Sequence, residues 1–206
     1  KRDCLEKVKE WGIPVAKSFT YDLGDPLDVD SVINKVGLPC FVKPNRSGSS
    51  YGVVKVYEKK DLKEAIQTAL KEDVQLIIEA NLVGMEISVG AYRLNDQVTV
   101  LPITEIISEN DFFDYDAKYN GKSQEITPAR LDETTINEIH SIVKKLFQQL
   151  ELQGVCRSEF IIVEGSPHLL EINTIPGLTP ASLIPQQVSA AGIELAKFFE
   201  SLLLKK

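Results

Sequence analysis

The stretch from Arg157 to Asn173 constrains this chain more than any other. Arg157-Ser158-Glu159 leads into the apolar run Phe160 to Val163, Glu164-Gly165-Ser166 follows, and Leu170-Glu171-Ile172-Asn173 closes the segment. Two strand-like runs around a turn predict a β-hairpin with Gly165 at its apex. Glu159 and Glu171 are equidistant from that glycine, as are Arg157 and Asn173. A three-residue loop sets Glu159 across from Glu171 and Arg157 across from Asn173, with all four side chains on one face. Carboxylates directly across a ladder repel. A fold keeps such a pair when a cation lies between them, and two glutamates with an asparagine oxygen suit a hard ion such as magnesium. An arginine on the same face points to an anion nearby. A solvated hairpin face carries the same residue types, so the pattern leaves both readings open. An even-numbered loop without a bulge puts Glu159 and Glu171 on opposite faces.

With 206 residues, 43% of them hydrophobic, the chain is long enough for one good-sized domain or two small lobes. A net charge of −7 argues against nucleic acid or an anionic membrane surface as the main partner, so any phosphate site is a local cluster of Lys and Arg. No apolar run is long enough to span a bilayer and no signal peptide is visible. The three cysteines, Cys4, Cys40 and Cys156, lack metal-type spacing and read as reduced core thiols, which predicts a cytoplasmic protein. With only His140 and His168, a zinc site or a histidine-based triad is excluded as the main reading, and both histidines read as structural. The sole methionine is Met85, so Lys1 is not expected to be a natural start and the chain reads as a piece of a longer protein.

Leu5, Val8 and Trp11 at helical spacing predict a first helix from Arg2 to Trp11. Strands are expected at Val15 to Tyr21, Cys40 to Lys43, Val53 to Tyr57, Val74 to Glu79, Glu86 to Arg93 and Val98 to Ile107. Asp30 to Val36 reads as a short helix stopped by Gly37, and Asp61 as the N-cap of a helix with Leu62, Ala65, Ile66, Ala69 and Leu70 on one stripe. Asp132 opens the clearest helix, with Ile136, Ile139, Val143, Leu146, Phe147 and Leu150 on one face, and helices are expected at Ser182 to Ala191 and Ile193 to Leu204. The polar, aperiodic stretch 108–127 is longer than most connections, which points to function. The mixed strand–helix order favours an α+β fold in two lobes, 1–80 and 81–206.

Between two of these strands lies the loop 44–52, with Arg46-Ser47-Gly48-Ser49-Ser50-Tyr51-Gly52 at its centre and Lys43 just before it. Its glycines let backbone approach a ligand, and consecutive N–H groups can cradle an anion. No Gly-Lys-Ser/Thr and no helix follow, so it is neither a Walker A loop nor a Rossmann turn. A flexible hairpin turn is the plain alternative; Lys43 and the carboxylate hairpin favour phosphate binding.

Three motifs carry a resemblance that runs the whole length. They are Phe41-Val-Lys-Pro-Asn-Arg-Ser-Gly-Ser-Ser-Tyr-Gly52, Asp114-Tyr-Asp-Ala-Lys-Tyr119, and Leu170-Glu-Ile-Asn-Thr-Ile-Pro-Gly-Leu-Thr-Pro-Ala-Ser-Leu-Ile-Pro185. Through them the chain resembles the ATP-grasp ligases, and within these the D-alanine–D-alanine ligases. The resemblance implies an ATP-grasp fold, two α+β lobes clamping ATP, and ligation of two D-alanines through an acyl phosphate for peptidoglycan precursor synthesis.

By the same resemblance, Lys1 and Lys43 match lysines on the nucleotide and its phosphates. Glu79 and the backbone of Asn81 and Leu82 match an adenine-binding hinge, and Glu86 a ribose ligand. Ser49 and Ser50 lie in the loop over phosphates and substrate, and Lys118 matches the lysine of a mobile omega loop spanning 108–127. Glu159, Glu171 and Asn173 match ligands of magnesium, two ions being implied with manganese as a substitute. Arg157 and the Gly177 backbone match oxyanion stabilisers, and Ser182 and Leu183 match residues that hold the carboxylate of the second D-alanine. Tyr119 follows the loop lysine where D-lactate ligases resemble one another in having His, which favours an amine acceptor. The resemblance implies D-alanine and ATP as small-molecule partners and admits a homodimer of the full-length enzyme.

Two departures stand out. The family's usual Asp is replaced by Glu159, one methylene longer, and Ser158 stands where an apolar residue is usual. The family also has an N-terminal lobe of roughly a hundred residues before the position of Lys1. Without that lobe, the resemblance implies a piece inactive on its own. Another ATP-grasp carboxylate–amine ligase and an isolated, non-catalytic ATP-binding module are the alternatives.

Overall fold

Side-chain caps open two of the helices, those after Asp28 and Asp132, in a computed structural model that describes residues 1–108 and 123–203. The chain divides into two compact units, one comprising Lys1–Val83 and the other Gly84–Ile107 together with the stretch from Gln124 onward.

The first unit carries helices α1 (Arg2–Glu10), α2 (Val29–Val36) and α3 (Leu62–Ala69) and strands β1 (Ser18–Asp22), β2 (Cys40–Pro44), β3 (Val54–Val56) and β4 (Gln75–Ala80). The strands form an antiparallel sheet in the order β1-β4-β2-β3. Asp28 caps α2, its Oδ1 accepting from the backbone N–H groups of Asp30 (3.0 Å) and Ser31 (3.1 Å). Gly37 ends that helix at a φ of 77°. Val32 and Val36 of α2 and Leu62, Ala65, Ile66 and Ala69 of α3 form one buried cluster with Cys40, Val42, Val56, Leu76 and Ile78 of the sheet. Strand alternation then places Phe41, Lys43 and Glu79 on the opposite face. Asp61 occupies the N-cap of α3, but its side chain makes no capping hydrogen bond. A 3₁₀ turn, Lys59–Asp61, runs straight into the helix and holds Asp61 in helical backbone geometry, not the extended geometry a cap side chain needs.

The second unit carries β5 (Met85–Leu94), β6 (Gln97–Val100), β7 (Thr104–Ser108), β8 (Ser123–Ile126), β9 (Gly154–Val163) and β10 (Ser166–Asn173), with helices α4 (Glu133–Gln149), α5 (Leu183–Ala190) and α6 (Leu195–Leu203). The sheet order is β10-β9-β5-β7-β8, and β6 also pairs with β5. Asp132 caps α4 by accepting from the Thr135 N–H at 2.9 Å, and Ile139, Val143, Leu146 and Phe147 on the predicted stripe are buried. The strand expected from Val98 to Ile107 is two strands. Pro102, which has no N–H to give a ladder, lies in the break between β6 and β7, and each pairs with its own stretch of β5. No helix of the described residues is long and apolar enough to cross a membrane.

Candidate functional site

The hairpin β9–β10 delivers the expected pairing by an unexpected route. Its loop has two residues, Glu164 and Gly165, not three, since Val163 already pairs with Ser166. Both loop residues have positive φ, 49° and 83°, the geometry of a type I′ turn, which a glycine at the second position favours. An even loop alone sends Glu171 to the face opposite Glu159. A β-bulge between Leu169 and Glu171 adds the missing residue, so Glu171 pairs with Glu159 and Asn173 with Arg157. Arg157, Glu159, Glu171 and Asn173 thus share one face.

That face is electrostatically dense. Glu159 is 3% exposed, and Arg157 Nη2 lies 2.6 Å from its Oε1. Arg157 Nε and the Oγ of Ser88, the residue of β5 paired with Glu159, are buried without a hydrogen-bond partner. Asn173 Oδ1 accepts from the Ile175 N–H at 3.0 Å, which fixes the amide at the strand's end. Two carboxylates and an amide oxygen fit a hard divalent cation that keeps several of its own waters. Among the described residues no group of three or more His, Cys, Asp and Glu side chains is arranged to hold a metal, so any ion here relies on the amide, water or a ligand. Ser158 is 1% exposed and points to the other face, among the buried side chains.

The chain leaves β10 through Thr174–Gly177 and turns into α5. Ser182 is the N-cap of α5 and Leu183 its buried first residue. Ser182 Oγ meets Thr179 Oγ1 at 2.8 Å, and a side chain on Gly177 would come within 2.8 Å of that same hydroxyl. Gly177, Ser182 and Leu183 are therefore drawn together by one short turn.

In the first unit, Lys43 Nζ lies 2.6 Å from Glu79 Oε2 on the sheet face opposite the α2–α3 cluster, and 5.4 Å from the centroid of the Phe41 ring. Lys1 Nζ donates to the Ser47 carbonyl at 2.6 Å, at the start of the loop. Ser49 and Ser50 both hold positive φ, 49° and 58°, and Gly52 follows at 73°. Two consecutive serines in this region cost on the order of 1 kcal/mol each, and such strain concentrates at ligand clamps. The base of the loop is tied down by Asp73, which is 7% exposed. Asp73 accepts from the backbone N–H groups of Arg46 (2.8 Å) and Gln75 (3.1 Å) and pairs with the Arg46 guanidinium. The Arg46 side chain and the two N–H groups together hold the Asp73 carboxyl far below the usual carboxylate range.

Asn81 and Leu82 follow β4, with the Asn81 N–H bonded to the Pro39 carbonyl at 3.2 Å, and Glu86 stands near the start of β5, paired with Ile106 and Ile161. Lys118 and Tyr119 lie outside the described residues, as does most of the expected omega loop. His140 is half-buried in α4, where burial and Lys144 push it below its usual value. Cys4, Cys40 and Cys156 are free thiols, and burial pushes the latter two up to about 11.

Two residues escaped the sequence reading. Asp73 gave no signal, because its partner Arg46 is distant in sequence. Gln187 did give one. It shares the buried stripe of α5 with Leu183, Ile184 and Val188, where a polar residue needs partners.

A family model described as D-ala D-ala ligase C-terminus matches residues 8–204. A D-alanine–D-alanine ligase of Flavobacterium johnsoniae is 52% identical over 199 residues, covering 97% of this chain and 62% of the relative. One of Phocaeicola vulgatus is 48% identical over 196 residues, covering 95% and 60%. Among solved structures, the VanG D-Ala:D-Ser ligase of Enterococcus faecalis superposes with a TM-score of 0.83 at 28% identity, covering 98% of this chain and 60% of that one. A D-alanine–D-alanine ligase of Bacillus anthracis gives 0.81 at 28% identity, covering 97% and 64%. The chain thus spans about three-fifths of the length of the proteins it matches.

Proposed function

Because this chain belongs to the D-ala D-ala ligase C-terminus family, with an ATP-grasp fold, we propose that it is the nucleotide- and metal-handling part of a cytoplasmic D-alanine–D-alanine ligase. The observation that carries this reading is the bulged hairpin, which sets Glu159, Glu171, Asn173 and Arg157 on one face. Two carboxylates side by side with an amide oxygen suit a divalent cation bound with a polyanion.

In the proposed reaction the γ-phosphoryl group of ATP passes to the carboxylate of one D-alanine, giving ADP and an acyl phosphate. The amine of a second D-alanine attacks the acyl carbon, and inorganic phosphate leaves through a tetrahedral intermediate. No protein nucleophile is needed, so the chain's work is positioning and charge neutralisation. Lys1, Lys43 and the backbone of Ser49 and Ser50 hold phosphates; Glu79, Asn81, Leu82 and Glu86 hold the nucleoside. Arg157 and the Gly177 N–H meet negative charge developing on the reacting oxygen. Ser182 and Leu183, at the N-terminus of α5, seat the acceptor's carboxylate. Lys118 and Tyr119 belong to the segment that closes over the reacting groups and excludes water. Glu159, Glu171 and Asn173 would hold magnesium, two ions in all, which neutralise phosphate oxygens when bound.

The test is phosphate release from ATP by a full-length ligase carrying this chain, with D-alanine, D-serine, D-lactate and L-alanine as acceptors. D-Alanine-dependent release with D-alanyl-D-alanine as product supports the reading. Release that needs a different acceptor converts it to another carboxylate–amine ligase. Mg-ATP binding with no acceptor-dependent release at full length makes this a nucleotide-binding module.

A further inference from the structure

Gln187 is fully buried and spends its amide on the side of β5 that faces β6 and β7, and on the first residue of β7. Its Oε1 accepts from the Gly90 N–H at 2.9 Å, while its Nε2 donates to the Ser88 carbonyl and to Thr104 Oγ1, each at 2.9 Å. That side needs this because β6 and β7 part at Pro102, and β5 is bare there except for the Leu101 N–H on the Gly90 carbonyl. The side-chain amide stands in for the missing piece of ladder. Gly90 makes room for it: a Cβ there would come 2.4 Å from Gln187 Oε1 and 2.5 Å from Ile184 Cδ1. The two β5 residues that Gln187 grips are paired with the site residues, Ser88 with Glu159 and Gly90 with Arg157. On its own helix, Gln187 lies one turn beyond Leu183, on the same stripe.

We infer that Gln187 is a positioning residue: it fixes the register of α5 on β5, and so sets the acceptor-binding turn at Ser182 and Leu183 against the Arg157–Glu159 face. A buried hydrophobic side chain would hold the helix down without fixing its slide or rotation, whereas three directed hydrogen bonds fix both. This inference rests on the proposed function for what the turn binds, but not for the coupling itself.

Two measurements test it, with Gln187→Leu and Gly90→Ala as perturbations and Val188→Ala as a control that loosens the same helix without touching these bonds. In the full-length ligase, both perturbations are expected to raise KM for the acceptor amino acid by about tenfold, the loss of roughly one directed bond's worth of binding. KM for ATP should stay within a factor of about two. Val188→Ala should lower the melting temperature comparably and leave the two KM values in their original ratio. Equal rises in both KM values, matching the control, overturn the inference. The second measurement is amide hydrogen exchange on the chain itself. Faster exchange at Gly90 together with residues 179–183 in Gln187→Leu, but not in Val188→Ala, supports the coupling; unchanged exchange at 179–183 overturns it. An inactive wild-type ligase refutes the proposed function, while the exchange experiment still decides the coupling.

Discussion

Replacing Asp73 with alanine should loosen the loop 44–52 at its base and destabilise the first unit. The carboxylate accepts two backbone N–H groups, from Arg46 at 2.8 Å and Gln75 at 3.1 Å, and pairs with a guanidinium whose side chain is 66% exposed. Hydrogen bonds to a charged acceptor contribute about 1.5–3 kcal/mol when buried. Both donors here are only partly shielded, so about 1 kcal/mol each is the better figure. An ion pair to an exposed arginine adds about 0–1 kcal/mol. The expected loss is therefore about 2–3 kcal/mol, against at most about 1 kcal/mol for Arg46→Ala, which keeps both backbone bonds. The sole tryptophan, Trp11, lies in this unit, so urea unfolding followed by its fluorescence reads the right part of the chain. The pH dependence has a definite sign. The folded carboxyl titrates far below the unfolded value of about 3.9, so its contribution is complete above that pH and is lost as pH falls further. The gap between wild type and Asp73→Ala should be flat from about pH 5 to 7 and shrink below about pH 4. A gap under about 0.5 kcal/mol at pH 7, within the range of ordinary surface substitutions, or one that widens on acidification, refutes the anchoring role.

Deleting Leu170 removes the extra residue of the bulge and leaves Glu171 across from Glu159 in an unbulged ladder; circular dichroism should show the sheet retained and magnesium-dependent nucleotide binding should persist, and loss of binding with the sheet intact would show that the facing of the two carboxylates is not enough. Lys118→Ala in the full-length ligase should lower turnover on the order of a hundred- to thousandfold with little change in ATP affinity, and the reverse pattern in steady-state kinetics would contradict a closing role. Phe147→Ala, at a fully buried position of α4, should cost about 3–5 kcal/mol in urea unfolding, and a loss under about 1 kcal/mol would show that α4 does not hold this unit together.

Much of this was legible from local pattern. Asp132 and its apolar stripe specified α4 because caps and periodicity are properties of neighbouring residues. The facing of Glu159 and Glu171 was read from symmetry about Gly165, and the pairing exists, yet the premise of a three-residue loop does not. A bulge at Leu170 depends on how the whole ladder settles, and no residue there announces it. The split of Val98 to Ile107 carried its own signal in Pro102, which strand-like neighbours on both sides obscured. Asp73 and Arg46 meet only because β4 lies beside β2 in the sheet, so their pairing is a product of topology. The resemblance implies separate nucleotide contacts for Lys43 and Glu79, and the structure shows them paired with each other across one sheet face.

The proposed role of the bulged hairpin is to present its carboxylate pair to a metal-bound nucleotide. Calorimetric titration of ATP, with and without magnesium, into wild type and Glu171→Gln tests it most directly. Magnesium should tighten ATP binding to the wild type and have no such effect on Glu171→Gln, with the fold unchanged by circular dichroism. Equal magnesium dependence in the two proteins would contradict that role.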